Sequence, residues 1–414
     1  MTSWQRTLYA LWLAQTLTII GFSLRTPFLP LFLGDLGAES MEQQALWSGL
    51  INGGGAAIMA VTAPLWGFVA DRYGRKPMVL RAMFVGSCTI GLMALATSPW
   101  HLLALRFVEG GLTGTVTAST ALVATTVPKE RLGYSLGLMQ MAIFSGSSVG
   151  PLLGGVLGDT IGYRPTFVLA GSLLFISGVL VLVLVQENFE RPAPRDEDAS
   201  ERVSMRALLV APAMLAMILV LFGLRAASSA IQPIMPLYVE QLANRASGVA
   251  SLAGITMGVM GLTSALASVL LGRAGDRFGT RPILLVSIVL SGLLYLPQAG
   301  VQSVGQLILL QAVFGLAVGG ALPTANAIVA HLTPPERRGA IYGFTAAATS
   351  LGGFVGPLGG ASLAAAISIR ATFLVMGALL LVIGLWAWRA IPERIGVPAT
   401  PGSSRTLNRS GSLR

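Results

Sequence analysis

Residues 67–80 read GFVADRYGRKPMVL, which packs Asp71, Arg72, Arg75 and Lys76 into a short turn between two long apolar runs. The pattern returns at residues 272–285, GRAGDRFGTRPILL. Gly67 falls on Gly272, Asp71 on Asp276, Arg72 on Arg277, Gly74 on Gly279 and Pro77 on Pro282. Position 272 minus position 67 gives an offset of 205, close to half of the 414 residues. A charged turn repeated at half-length between apolar spans marks a membrane protein built from two parallel repeats.

Composition agrees with that reading. Hydrophobic residues make up 54% of the chain, charged residues 11%, and the mean hydropathy is +0.74. A soluble domain carries about 25% charged residues, so most of this chain meets an apolar solvent. The formal net charge of +10 does not point to nucleic acid, because the basic residues sit in short loops beside apolar runs. A single cysteine, Cys88, excludes an internal disulfide and, in an apolar run, reads as a buried inert thiol. His101 and His331 are isolated at run ends and show no metal-ligand spacing. No phosphate-binding glycine loop of the ATPase type is present, so ATP is not the expected energy source.

Twelve apolar runs are long enough to be spans. The first, residues 8–33, exceeds a signal-peptide core and is expected to be retained. The chain divides into a six-helix bundle over residues 1–186, a polar linker over 187–206, a second bundle over 207–396 and a Ser-, Pro- and Arg-rich tail over 397–414, expected to be disordered. The expected fold is therefore an all-α membrane protein of two pseudo-symmetric bundles. The turns after the even-numbered spans and both ends carry most of the Lys and Arg, against only Arg164, Arg245 and Arg370 in the opposite turns. Both ends are then cytoplasmic, in a multi-pass protein of the inner or plasma membrane. Nothing in the sequence demands more than a monomer.

Four features are candidates for function. The first is the charged turn itself, Gly67, Asp71, Arg72, Gly74 and Arg75 with Asp276 and Arg277 in the repeat. Asp71 can accept from the start of a neighbouring helix, and the arginines can pair with it or with facing carboxylates, which makes a cytoplasmic gate. The alternative is that these charges only fix topology. The second is a glycine ladder in span 5, SGSSVGPLLGGVLG, with Gly146, Gly150, Gly154 and Gly158 on one helix face and a bend favoured at Pro151. Span 11 repeats it with Gly352, Gly356, Pro357 and Gly360. Close helix packing explains part of it.

The third is a set of ionisable residues inside spans: Arg25, Arg106, Glu109 and Arg225. An intramembrane charge costs at least ~2.5–3.5 kcal/mol on insertion scales, so each is a functional candidate. Glu109 is the one carboxylate well within a span and stands three residues after Arg106, on the same side of the helix. A carboxylate beside a guanidinium can load and release a proton if its hydration or partner changes; the alternative is a static pair that neutralises Arg106. Arg25 and Arg225 have no acid at helical spacing. Facing a central cavity they would favour anionic groups, while Arg25 could instead snorkel to the interface. The fourth is a pair of proline-broken spans: PFLPLF with Pro27 and Pro30 in span 1, and PIMPLY with Pro233 and Pro236 in span 7. Breaks at equivalent places point to moving elements that line a substrate path. Asn52, Gln140, Gln232, Gln311 and Asn326 are polar residues within spans that could touch substrate or bond across helices. Met139, Met141 and Phe144 could add a deformable apolar surface.

On these residues the sequence resembles the major facilitator superfamily, whose signature G-x-x-x-D-R-x-G-R-[KR] is met from Gly67 to Lys76. The resemblance implies a cytoplasmic latch at that turn. Arg106 and Gly110 match the family's R-x-x-x-G pattern in span 4. The string G-x-x-x-G-P-x-x-G-G, met by Gly146, Gly150, Pro151, Gly154 and Gly155, resembles the motif of the twelve-span drug:proton antiporters. The opening WQRTLYALWLAQTLTIIGFSLRTPFLPLFL resembles a multidrug-exporter subgroup, although Arg25 is unusual there. The family pattern has no acid at Glu109, so that assignment rests on the residues alone.

The expected function is therefore export of small amphiphilic molecules or drugs in exchange for protons. No cofactor is needed beyond the proton gradient, and the partners are a small-molecule substrate, protons and the lipid bilayer. Uptake or exchange of an anionic metabolite by the same fold is the alternative, and an enzyme is not expected. A non-transporting sensor fits poorly with short loops.

Overall fold

The computed structural model describes residues 3–128, 131–187, 211–244, 247–333 and 338–392. The expected linker, apart from Glu187, and the expected tail lie outside the described residues.

Among the described residues sixteen α-helices combine into twelve spans. Span 1 is α1 (Ser3–Leu24) with α2 (Leu29–Asp35); span 2 is α3 (Met41–Tyr73); span 3 is α4 (Lys76–Met93). Span 4 is α5 (Pro99–Leu112) with α6 (Thr115–Thr126), span 5 is α7 (Leu132–Thr160) and span 6 is α8 (Tyr163–Leu184). The second lobe repeats the order: α9 (Pro212–Ile231) with α10 (Met235–Leu242), α11 (Val249–Phe278), α12 (Thr280–Ala299), α13 (Val304–Val318) with α14 (Ala321–Leu332), α15 (Arg338–Ala366) and α16 (Ile369–Ala390).

The breaks in spans 1 and 7 fall at the paired prolines. Pro30 and Pro236 open α2 and α10, where a missing N–H costs nothing. Two further breaks lie in spans 4 and 10. Gly114 adopts φ +125°, a conformation open to glycine, and separates α5 from α6. Gly319 and Gly320 divide α13 from α14 at the matching place.

Glycine ladders set the packing. A Cβ at Gly150 would lie 3.0 Å from the carbonyl oxygen of Ile20, and one at Gly154 would collide with the carbonyl of Leu24, so spans 5 and 1 pack backbone to backbone. Gly352 and Gly356 do the same for spans 11 and 7, where a Cβ at Gly352 would meet the Phe222 oxygen at 2.6 Å. Gly155 turns toward the carbonyl of Ala250 and so carries the ladder across to span 8 of the other lobe.

Inter-lobe contacts gather at one end. Gly49 and Gly53 of span 2 press on Pro357, Phe354 and Leu358 of span 11, and Gly254 and Gly258 of span 8 press on Pro151 and Leu152 of span 5. Asp159 accepts from the Ser251 amide at 2.6 Å and closes that end. Toward the end bearing the two charged turns, Gly67, Gly133, Gly137, Gly272 and Gly343 have no neighbouring atom where a Cβ would go, and Leu65, Phe68, Tyr134, Leu266 and Phe344 are exposed. The lobes are joined at one end and apart at the other.

The second lobe has one core, holding Tyr238, Tyr295, Phe314 and Phe373, while the first has two. Leu309, Val382, Val183 and other large apolar side chains are exposed around the outside, as a bilayer solvent requires. Cys88 is exposed, contrary to the buried thiol expected from its apolar run. In lipid an apolar run does not imply a core position.

Candidate functional site

Glu109 lies near the end of α5, the first half of broken span 4, and is 1% exposed. Its two carboxylate oxygens accept from both terminal nitrogens of Arg25, Nη1 to Oε2 at 2.6 Å and Nη2 to Oε1 at 2.8 Å. Arg106, one turn before it on α5, donates from Nη1 to Oε1 as well. The carboxylate is thus shared by two guanidiniums, and the cluster keeps one net positive charge. Arg25 is itself buried and begins the four-residue turn that breaks span 1; its carbonyl accepts the Leu29 amide at 2.9 Å. The pair therefore ties the break in span 1 to the acid of span 4. Arg106 reaches Glu109 where span 2 is thin: Gly55 leaves room for the Arg106 side chain and meets Gly110 backbone to backbone.

Arg25 also lines a small enclosed space of about 10 Å³ between the lobes, with Thr26, Asn52, Gln232 and Pro233 among its walls. That is roughly the room one water needs. Gln232 and Pro233 belong to the break in span 7, so the two breaks face one another across this space. Asn52 turns its amide to the Ser48 carbonyl at 2.9 Å.

Arg225 is exposed on α9 beside Gly353 of span 11, and among the described residues it has no acidic partner. In the other repeat its place is taken by Ile19, which packs on Gly146 as Arg225 packs on Gly352. Gln140 and Asn326 are exposed, Phe144 is half-buried, and Met139 is buried while Met141 is exposed. Gln311 is buried and donates to Gln298 at 3.1 Å, a bond between spans 10 and 9. A separate apolar hollow of about 490 Å³ between α12 and α16, walled by residues such as Leu290, Leu385 and Trp388, holds none of the polar candidates.

At the charged turn Arg72 and Arg277 are exposed and lie over the neighbouring rings of Tyr73 and Phe278. The side chains of Asp71 and Asp276 lie outside what is described. The carboxylate found at the start of α4 is Glu187, whose two oxygens accept the Arg75 and Lys76 amides at 2.8 Å each. Lys76 returns the contact by donating to the Leu182 and Val185 carbonyls at the end of α8. Sequence reasoning had placed Glu187 in the linker; its one distinguishing signal was its position just after the apolar run of span 6. It likewise missed the Arg25–Glu109 pair, 84 residues apart.

Two matched six-helix lobes, four spans broken at equivalent places and a buried ionic cluster at one break define a twelve-span membrane transport protein. The chain belongs to the Major Facilitator Superfamily, whose family model matches residues 11–257 and again 244–410. It is similar to the multidrug resistance protein MdtG of Salmonella arizonae, with 34% identity over 392 residues, 95% of this chain and 97% of the relative. The MdtG of Salmonella typhimurium matches with the same identity and coverage. Among solved structures, a bacterial homolog of the human lysosomal transporter Spinster, inward-facing and occupied, superposes with TM-score 0.74 at 16% identity over 92% of this chain and 96% of that one. The human organic anion transporter MFSD10 does so with TM-score 0.68 at 20% identity over 94% and 100%.

Proposed function

We propose that this transporter exports small amphiphilic molecules, drugs among them, in exchange for protons, with Glu109 as the proton carrier. The observation that carries the reading is the carboxylate shared between Arg25 and Arg106. Glu109 is the sole acid well within a span, and the partner that holds both its oxygens stands on a helix break. A proton arriving on Glu109 removes its charge and weakens both pairs, which frees the span 1 break. Loss of the proton restores them. Substrate binds between the lobes, which rock about it, and the proton gradient drives the cycle without a cofactor. The likeness to MdtG supports export of varied compounds. The lobes part at the end that basic residues assign to the cytoplasm, an arrangement suited to loading from inside. A monomer in the inner membrane with both ends cytoplasmic is sufficient for this cycle.

In proteoliposomes holding a preformed proton gradient, added drug collapses the gradient with the wild-type protein. Glu109→Gln abolishes that collapse while substrate still binds. Drug-driven collapse of wild-type size in the variant removes Glu109 from the mechanism.

Exposed Arg225, with no acidic partner among the described residues, favours a second reading, exchange of an anionic metabolite. It predicts saturable uptake of a labelled organic anion with no drug-driven proton movement.

A further inference from the structure

The charged turn is flanked by two residues to which the gate assigns no task, Trp66 before Gly67 and Arg81 after Leu80. Both reach across to the break in span 4. The Trp66 indole N–H donates to the Gly111 carbonyl at 2.6 Å, and Arg81 Nη2 donates to the Thr113 carbonyl at 3.3 Å. The Arg81 guanidinium carbon lies 3.4 Å from the centroid of the Trp66 ring, so the two donors are stacked into one unit. Gly111 and Thr113 sit at the C-terminal end of α5, where carbonyls lose their partners in the helix and carry partial negative charge. One turn earlier is Glu109, whose own carbonyl accepts from the Thr113 amide at 2.9 Å and from its hydroxyl at 2.7 Å.

The second lobe supplies the control. In the turn's register Leu271 stands where Trp66 does and Val286 where Arg81 does. The matching break at Gly319 and Gly320 is packed instead by the Leu271 side chain and the Ser287 hydroxyl, both within 3 Å of where a Gly320 Cβ would lie. A polar clamp therefore holds the one break that adjoins an acid, and side-chain packing holds the other.

We propose that Trp66 and Arg81 are positioning residues: they clamp the span 4 break, fix where Glu109 stands, and couple it mechanically to the charged turn. Two arrangements satisfy the Gly111 and Thr113 carbonyls in an apolar medium, this clamp or a helix running continuously through 113 and 114. Movement of spans 2 and 3 with the gate pulls the clamp away and favours the continuous helix. Rewinding turns Glu109 relative to Arg25. The coupling to protons rests on the proposed role of Glu109; the clamp itself does not.

Two readouts separate those claims. Amide hydrogen exchange at residues 113–118 tests the clamp in Trp66→Phe, which keeps a ring under Arg81 but loses the N–H, and in Arg81→Leu. Loss of one such bond frees its carbonyl for the Thr115 or Thr117 amide of the continuous helix and slows exchange there about fivefold or more. The pH profile of drug-driven proton flux tests the coupling: both variants displace its midpoint by about half a pH unit or more, and Arg81→Lys restores part of the shift. Where Arg81→Leu fails to insert, Trp66→Phe alone decides. Unchanged exchange in a folded Trp66→Phe protein overturns the clamp. Slower exchange with an unmoved midpoint, or a flux lowered equally at every pH, overturns the coupling. If Glu109→Gln keeps full proton flux, the carrier assignment fails while the exchange result still judges the clamp.

Discussion

The two lobes share a backbone plan and differ in where they keep charge. Both break at the first and fourth of their spans, both pack a glycine ladder against the broken first span, and both carry the charged turn. Among the described residues only the first lobe buries an ionic cluster, Arg25–Glu109–Arg106, and only its fourth-span break is held by indole and guanidinium donors. The second lobe meets the same demands with Leu271, Ser287 and a Gln311–Gln298 amide bond, and leaves Arg225 exposed. Duplication thus supplied a symmetric frame. The chemistry sits on one side of it, and the other side presents a fixed positive charge.

The largest break in that asymmetry comes from the cluster. Glu109→Ala leaves two guanidiniums without their shared partner and lowers stability by about 3–5 kcal/mol, as removal of one member of a buried pair does. Thermal unfolding in detergent measures it; a loss under about 1 kcal/mol would place the cluster in contact with water. Next comes Glu187→Gln, which keeps one acceptor for the start of α4 and loses the other together with its charge. The expected cost is about 1 kcal/mol, read by the same method, with faster proteolysis near the charged turn. The smallest effect on stability is at Arg225→Ala, within about 0.5 kcal/mol because the side chain is exposed and has no acidic partner among the described residues. That variant narrows or shifts the range of anionic compounds handled in a resistance panel. An unaltered range would place Arg225 outside the substrate path and erase the functional half of the comparison.

The frame was legible because its signals are periodic or paired. The repeat offset gave two halves, and the matched prolines gave the breaks in spans 1 and 7. Gly146 to Gly158 gave a small-residue face whose close contact with span 1 follows directly. The breaks in spans 4 and 10 carried a fainter signal, the glycines at 110, 111 and 114 and at 319 and 320, which ordinary packing also explains. The site was half legible. Helical spacing joined Arg106 to Glu109, but Arg25 lies 84 positions away, and only folding brings it there. Glu187 read as linker because its neighbours are polar, and Cys88 read as core because its neighbours are apolar. In both cases composition describes a neighbourhood, whereas contact depends on direction.

The central claim, that Glu109 exchanges its proton when substrate changes its surroundings, is tested most directly by counting protons. Weakly buffered, detergent-purified protein is mixed with a transported compound and the pH is followed. The account predicts that the wild-type protein releases protons on binding, up to one per molecule, and that Glu109→Gln binds the compound and releases none. Equal release from both proteins would contradict it.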